Sequence, residues 1–263
     1  MKPLHELPAA GVHTVFTDID DTLSTHGRLT AEAYAALQAL RDGGLRVVPV
    51  TGRPAGWCDH IARFWPVDAV IGENGAFVMW HDAAAGRLRS AHLLAEAERA
   101  AHAQALAAVR ERILREVPGC AVASDQFCRL YDLAIDFCED VPPLPASAVD
   151  RIVALMTEAG MTAKVSSIHV NGWFGDYDKL GMARRWLREH HGIDIDEPAE
   201  RRRCVFVGDS PNDAPMFGFF PLSVGVANVR QFGARLAQWP AYVTPSEGGA
   251  GFAELARHLL ARR

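Results

Sequence analysis

Short apolar runs alternate with amphipathic stretches at both ends of the chain, and a different rhythm holds between them. Val12–Thr17 is short, β-branched and bounded by a polar loop, which reads as a buried strand. Thr30–Arg41 follows with helical spacing: Thr30 suits the N-cap, Leu37 and Leu40 share a face, and Gly43-Gly44 stops the helix. Leu45–Val50 reads as the next strand, although Pro49 cannot donate to a ladder. Its exit loop is Thr51-Gly52-Arg53-Pro54. Trp57–Phe64 reads as a helix and Ala69–Ile71 as a third strand. From Asp178 the alternation returns, with a helix over Leu180–His190, strands over Cys204–Val207, Leu222–Val226 and Ala241–Val243, and a closing helix over Phe252–Leu260. Strands alternating with helices predict a parallel sheet covered on both faces.

The middle of the chain departs from this pattern. Phe77–Trp80 reads as a strand, Ala83–Gly86 as a turn, and Leu93–Glu116 as one long Ala-rich helix. Leu130–Phe137 alternates as a strand, Pro142–Pro145 breaks the chain, and Ser147–Ala159 forms a helix before a hairpin of Thr162–Ser166 and Ile168–Trp173. The order αββαββ implies an open-faced sheet of its own. The expected architecture is therefore α/β: a Rossmann-like parallel-sheet core over 1–80 and 178–263, with an inserted α+β domain over 81–177.

The chain has 263 residues, 49% of them hydrophobic, which is ample for such a core. Its net charge of −5 argues against a general nucleic-acid binder, which would carry a basic face. Arg201–Arg203, the one local basic run, reads as a solvated lead-in to a strand. The start, MKPLHELPAAG, lacks the apolar stretch of a signal peptide, and no segment approaches the ~18 apolar residues of a membrane span. The expectation is a soluble cytoplasmic protein with no membrane or nucleic-acid partner. Five cysteines without a C-x-x-C pair point to reduced thiols.

The candidate chemistry sits where the predicted strands end. The first ends in Asp18-Ile19-Asp20, the second in Thr51, and CVFVGD in Asp209, with Asn212 and Asp213 in the loop GDSPND; Lys179 opens the helix after the insertion. Strand ends of a parallel sheet share one edge, where ligands bind. Carboxylates gathered there repel one another and lose hydration. A hard divalent cation such as Mg2+ would relieve that repulsion. The Thr51 hydroxyl and the Lys179 ammonium suit a phosphate. One carboxylate as nucleophile, beside a second that moves protons, would transfer a phosphoryl group through an aspartyl-phosphate. Each residue alone has a plainer reading, as a turn former, loop residue or helix cap. Their joint placement favours a site.

DIDDT, VTGRP, DKLG and GDSPND, in that order, resemble the four motifs of the haloacid dehalogenase (HAD) superfamily. The insertion resembles the type IIB cap of its sugar-phosphatase-like branch, as do GENGA at 72–76 and the ending YVTPSEGGAGFAEL. The resemblance implies that Asp18 attacks phosphorus and that Asp20 protonates the leaving oxygen and then activates water. It implies that Thr51 and Lys179 hold the phosphoryl oxygens, and Gly52 and Asn212 are further candidates for binding the substrate. Mg2+ would rest on the side chains of Asp18 and Asp209 and the backbone carbonyl of Asp20, with Asp213 supporting. Arg53 and Asn74 would face the leaving group or the hinge, although surface-loop roles compete. Asp21 stands where relatives often carry glycine, and reads as a cap for backbone donors. In the insertion, His169, Asn171 and Trp173 alternate on one strand face, which either packs on the cap helices or looks down on the substrate; burying His169 and Asn171 unpaired is costly, which favours the substrate side.

These readings converge on a Mg2+-dependent phosphatase for a small phosphate ester, a sugar or polyol phosphate. A phosphomutase or phosphotransferase using the same intermediate is the enzymatic alternative. A phosphorylatable signalling domain and a non-catalytic sugar-phosphate sensor are the others.

Overall fold

The computed structural model describes residues 1–261. Six parallel strands lie in the order Lys2–Pro3, Tyr242–Val243, Leu222–Gly225, Cys204–Gly208, Thr14–Thr17, Arg46–Pro49. Successive side chains of a strand point to opposite faces, and here both faces are covered. Val15, Val47, Val205 and Val224 pack with Leu37 and Leu40 of the helix Ala31–Asp42 and with Phe252 and Leu255 of the helix Gly248–Leu260. Phe16, Val48 and Phe206 pack on the other side with Trp186 and Leu187 of the helix Lys179–His191. Two buried faces explain why these strands read as near-continuous apolar runs.

Local chemistry sets the boundaries. The Thr30 hydroxyl accepts the amide of Ala33 at 3.2 Å, capping the first helix as expected. Pro49 does no harm, because the neighbouring amides carry the pairing: Val50 donates to Thr17 at 2.7 Å and Thr51 to Ile71 at 2.9 Å. No helix among the described residues is long and apolar enough to cross a membrane. All five cysteines are free thiols, with Cys58 and Cys204 buried.

Val70–Gly72 joins the sheet through a parallel bridge from Ile71 to Val50, then turns into Phe77–Asp82. A further strand, Arg87–His92, pairs antiparallel with Phe77–Asp82. Its mixed composition, RLRSAH, gave no apolar signal in the sequence, and the long helix accordingly starts at Glu96 rather than Leu93. Between the strands, Glu73, Asn74 and Gly75 are left-handed, with φ of 41°, 55° and 106°. A Cβ on Gly75 would collide with the carbonyl of Asp178, so only glycine fits there.

The second sheet is antiparallel, in the order Thr162–Val165, His169–Trp173, Asp132–Asp136, Ala121–Val122. Leu133, Ile135 and Val170 face the helices Glu96–Glu116 and Ala146–Glu158, packing with Val109, Ile113, Ile152 and Leu155. The register pairs Asp132 with Trp173, Ala134 with Asn171 and Asp136 with His169. These six therefore share the opposite face, away from the helices.

One buried carboxylate anchors this sheet to the core. Buried Glu73 accepts the amides of Ala55 (3.1 Å), Leu130 (2.9 Å), Tyr131 (2.6 Å) and Asp132 (3.2 Å). Burial and nearby Asp132 push its carboxyl up to about 8, against the pull of those amides and Arg129. Arg129, itself sealed from solvent, donates to Asp125, to Asp132 and to the Gly52 carbonyl at 2.8 Å. Glu73→Ala would strip the acceptor from four buried amides, with an expected loss of about 3 kcal/mol or more in urea unfolding. Glu73→Gln, which keeps one carbonyl oxygen, should lose less. A loss under about 1 kcal/mol for the alanine variant would contradict the anchoring role.

Candidate active site

Because Thr14–Thr17, Arg46–Pro49 and Cys204–Gly208 run parallel, Asp18, Thr51 and Asp209 leave the sheet at one edge. Lys179 reaches the same place from the first turn of its helix, whose N-cap Asp178 accepts the Gly181 amide at 2.7 Å. Its ammonium lies 2.7 Å from Oδ1 of Asp18 and 2.7 Å from Oδ1 of Asp213. The other oxygen of Asp213 accepts the amides of Asp209 and Ser210, at 3.0 and 3.3 Å. Asp213 is thus fully engaged in orienting its neighbours. A Cβ on Gly208 would strike its carboxylate, which is why the strand ends in glycine before the loop.

Carboxylate oxygens of Asp18, Asp209 and Asp213 all lie within 4.8 Å of one another, in full burial. Burial pushes Asp18 and Asp209 above the usual carboxylate range, and mutual repulsion adds to it. Burial alone would depress Lys179, but Asp18 and Asp213 hold its ammonium above the ordinary lysine range. Three buried carboxylates against one ammonium leave a deficit of positive charge among oxygen donors. That donor set fits a hard divalent cation.

The side chain of Asp20 stands outside this cluster and turns to Arg53. The guanidinium Nε is 3.0 Å from both Asp20 oxygens and Nη2 is 2.9 Å from Oδ1. Arg53 is buried, not a surface-loop residue; it also meets Glu139 at 2.6 Å and Asp125 at 3.3 Å, and lies over the Trp57 ring. The buried Thr51 hydroxyl accepts the Arg53 amide at 3.0 Å. Asn74 is buried with its Nδ2 unpartnered. A Cβ on Gly52 would sit 3.2 Å from that nitrogen and 3.4 Å from Oδ1 of Asn171, so the two asparagines close on the loop where a side chain would intrude.

Asp18, Asp20, Gly52 and Arg53 line one small cavity with Asn212, with His169 and Asn171 of the second sheet and with Ser166 and Ile168 of the turn before them. Asn171 is held by Asp132 at 2.9 Å, and His169 Nε2 lies 2.9 Å from Glu139, out of line for a hydrogen bond. Trp173, on the same face, instead stacks on Tyr177 at 5.3 Å. The cavity measures about 10 Å³, room for roughly one water.

Asp21 corrects an expectation. Its carboxylate caps no backbone amide among the described residues; its own amide donates to Ser24 Oγ at 2.9 Å, and its φ of 54° is left-handed. That backbone accounts for aspartate where glycine is also at home. Glu73, Asp125, Arg129, Asp132 and Glu139 join the site without standing out as candidates in the sequence. Only Asp132 carried a signal, since it alternates with Leu133 and Ile135 as Asn171 does with Val170.

The sequence model of the haloacid dehalogenase-like hydrolases matches residues 15–114. The chain is 29% identical over 251 residues to a phosphoglycolate phosphatase of Pyrobaculum neutrophilum, covering 93% of this chain and 94% of that one. Among solved structures, a Thermoplasma acidophilum protein superposes with a TM-score of 0.70 at 17% identity, covering 94% and 98% of the two chains. A HAD subclass IIB sugar phosphatase superposes with a TM-score of 0.61 at 15% identity, over 94% and 98%. By these likenesses the chain is similar to the haloacid dehalogenase-like hydrolases, with a capped fold like that of the subclass IIB structure, and is a phosphatase.

Proposed function

We propose that this phosphatase hydrolyses small phosphate esters in a Mg2+-dependent reaction through an aspartyl-phosphate on Asp18. The observation that carries the reading is Lys179, fixed 2.7 Å from both Asp18 and Asp213 beside Asp209. Lys179 engages only Oδ1 of Asp18; Oδ2 receives no donor among the described residues and is available as the attacking atom.

The side chains of Asp18 and Asp209 and the backbone carbonyl of Asp20 would hold the Mg2+. When bound, it neutralises charge on the transferring phosphoryl oxygens. Lys179, the Thr51 hydroxyl and the Gly52 amide hold those oxygens from the protein side, with Asn212 on the rim. Asp18 Oδ2 forms a bond to phosphorus while the ester P–O bond breaks, and Asp20 gives its proton to the leaving oxygen. Asp20 then takes a proton from water, whose oxygen attacks phosphorus and frees Asp18. Arg53 aims the Asp20 carboxylate through both of its oxygens. The inserted domain, placed over 81–177, closes on the substrate through His169 and Asn171 and excludes bulk water. Asn74, with its free amide nitrogen beside Gly52, supports the phosphate loop.

Sugar or polyol phosphates are the preferred substrate class, because the inserted domain presents side chains rich in hydrogen-bonding groups. The relatives named phosphoglycolate phosphatase, at up to 29% identity over nearly the whole chain, favour a second reading with glycolate as the leaving group.

Phosphate release from sugar, polyol and 2-phosphoglycolate esters, with Mg2+ and with chelator, tests the reading. Release should vanish with chelator and return with Mg2+. Asp18→Asn should lower kcat by about 10³-fold or more with an unchanged circular dichroism spectrum; substantial residual turnover would sink the covalent mechanism. Asp20→Asn should slow alkyl phosphates far more than p-nitrophenyl phosphate, whose leaving group needs little protonation. Equal losses on both would contradict the acid role.

A further inference from the structure

Beside the small cavity at Asp18 lies a larger chamber of about 360 Å³. The two share Asp20, Arg53 and Ile168. With phosphorus at Asp18 and the ester oxygen at Asp20, this chamber receives the leaving group. Its charged groups are Asp20, Asp21, Glu139 and Arg53, with His26 at the rim.

Arg53 is the one guanidinium in the wall, and every nitrogen of it is spoken for. Nε donates to Asp20, Nη2 to Asp20 and Glu139, and Nη1 to Asp125 and Glu139. A leaving group that carries a carboxylate finds no free donor there. To reach Arg53 it would have to expel Glu139, a carboxylate that stays ionised: burial pushes it up, but His169 and Arg53 outweigh that and hold it at about 2. Hydroxyl groups, by contrast, meet carboxylate acceptors and the hydroxyl of Ser167, whose Oγ is buried without a partner.

We propose that Glu139 is a specificity-determining residue, admitting neutral, hydroxyl-bearing leaving groups and repelling those that carry a carboxylate. This rests on the phosphatase reading above and selects within it the polyol class over phosphoglycolate.

The test compares two esters with the same two-carbon skeleton, 2-hydroxyethyl phosphate and 2-phosphoglycolate, which differ only in a terminal CH2OH or carboxylate. The quantity read is the ratio of their kcat/KM values with Mg2+, in wild type, Glu139→Gln and Glu139→Asp. Wild type should favour the hydroxyethyl ester. Glu139→Gln should shift the ratio towards phosphoglycolate by about tenfold or more, chiefly through KM. Glu139→Asp keeps the charge and should stay with wild type. A wild-type preference for phosphoglycolate overturns the assignment, as does a ratio in Glu139→Gln within about twofold of wild type. p-Nitrophenyl phosphate separates the levels: if its hydrolysis survives Asp18→Asn, the reaction itself has been misread. If it depends on Asp18 while the ratio stays fixed, only the role of Glu139 fails.

Discussion

Lys179 places one positive charge between two carboxylates that could not otherwise share a dry strand edge. Asp18 is held at one oxygen, Asp213 at one oxygen, and the second oxygen of Asp213 pins the amides that carry Asp209. Remove the ammonium and three buried acids face one another in a medium that screens poorly. The site therefore depends on a residue delivered by a different element from those that supply the acids. The helix Lys179–His191 has to pack correctly on Phe16, Val48 and Phe206 before its first residue can reach Asp18. Core packing and site electrostatics are in this sense one constraint.

The same logic recurs where the inserted domain meets the core. Glu73 spends both oxygens on backbone amides from two directions, and Arg129 reaches from the inserted domain to the Gly52 carbonyl. The loop over 51–55 is thereby held from both sides. Asp132 belongs to this network and also orients Asn171, so the docking of the domain and the aim of a cavity-lining side chain are coupled through one carboxylate.

Much of this was legible in the sequence because parallel strands end on a common edge. Asp18, Thr51 and Asp209 could be brought together from strand assignments alone, and Lys179 from its place at a helix start. His169 and Asn171 were legible through strand alternation, since the face opposite Val170 had to look away from the helices. Arg53 was harder: nothing in TGRP says that the guanidinium folds inward onto Asp20. Arg129 and Glu139 lie just outside the strand Asp132–Asp136, where no periodicity constrains direction. Their roles come from three-dimensional charge pairing, which leaves no mark on local pattern. Arg87–His92 escaped for the opposite reason: its pairing with Phe77–Asp82 needs no apolar run, because it lies at the sheet margin with mostly half-buried side chains.

The register of the central sheet has a consequence for how the chain reaches this state during synthesis. Thr14–Thr17, which leads into Asp18, pairs with Cys204–Gly208 on one side and Arg46–Pro49 on the other. One of those neighbours emerges early and the other only after the entire insertion has been made. The antiparallel sheet, built from contacts that are close in sequence, can form in the meantime, while the first strand waits with an open edge. The edge that gathers Asp18, Thr51 and Asp209 is thus complete only once the chain has passed the insertion, and a nascent chain that stops within it holds Asp18 without the strand that delivers Asp209.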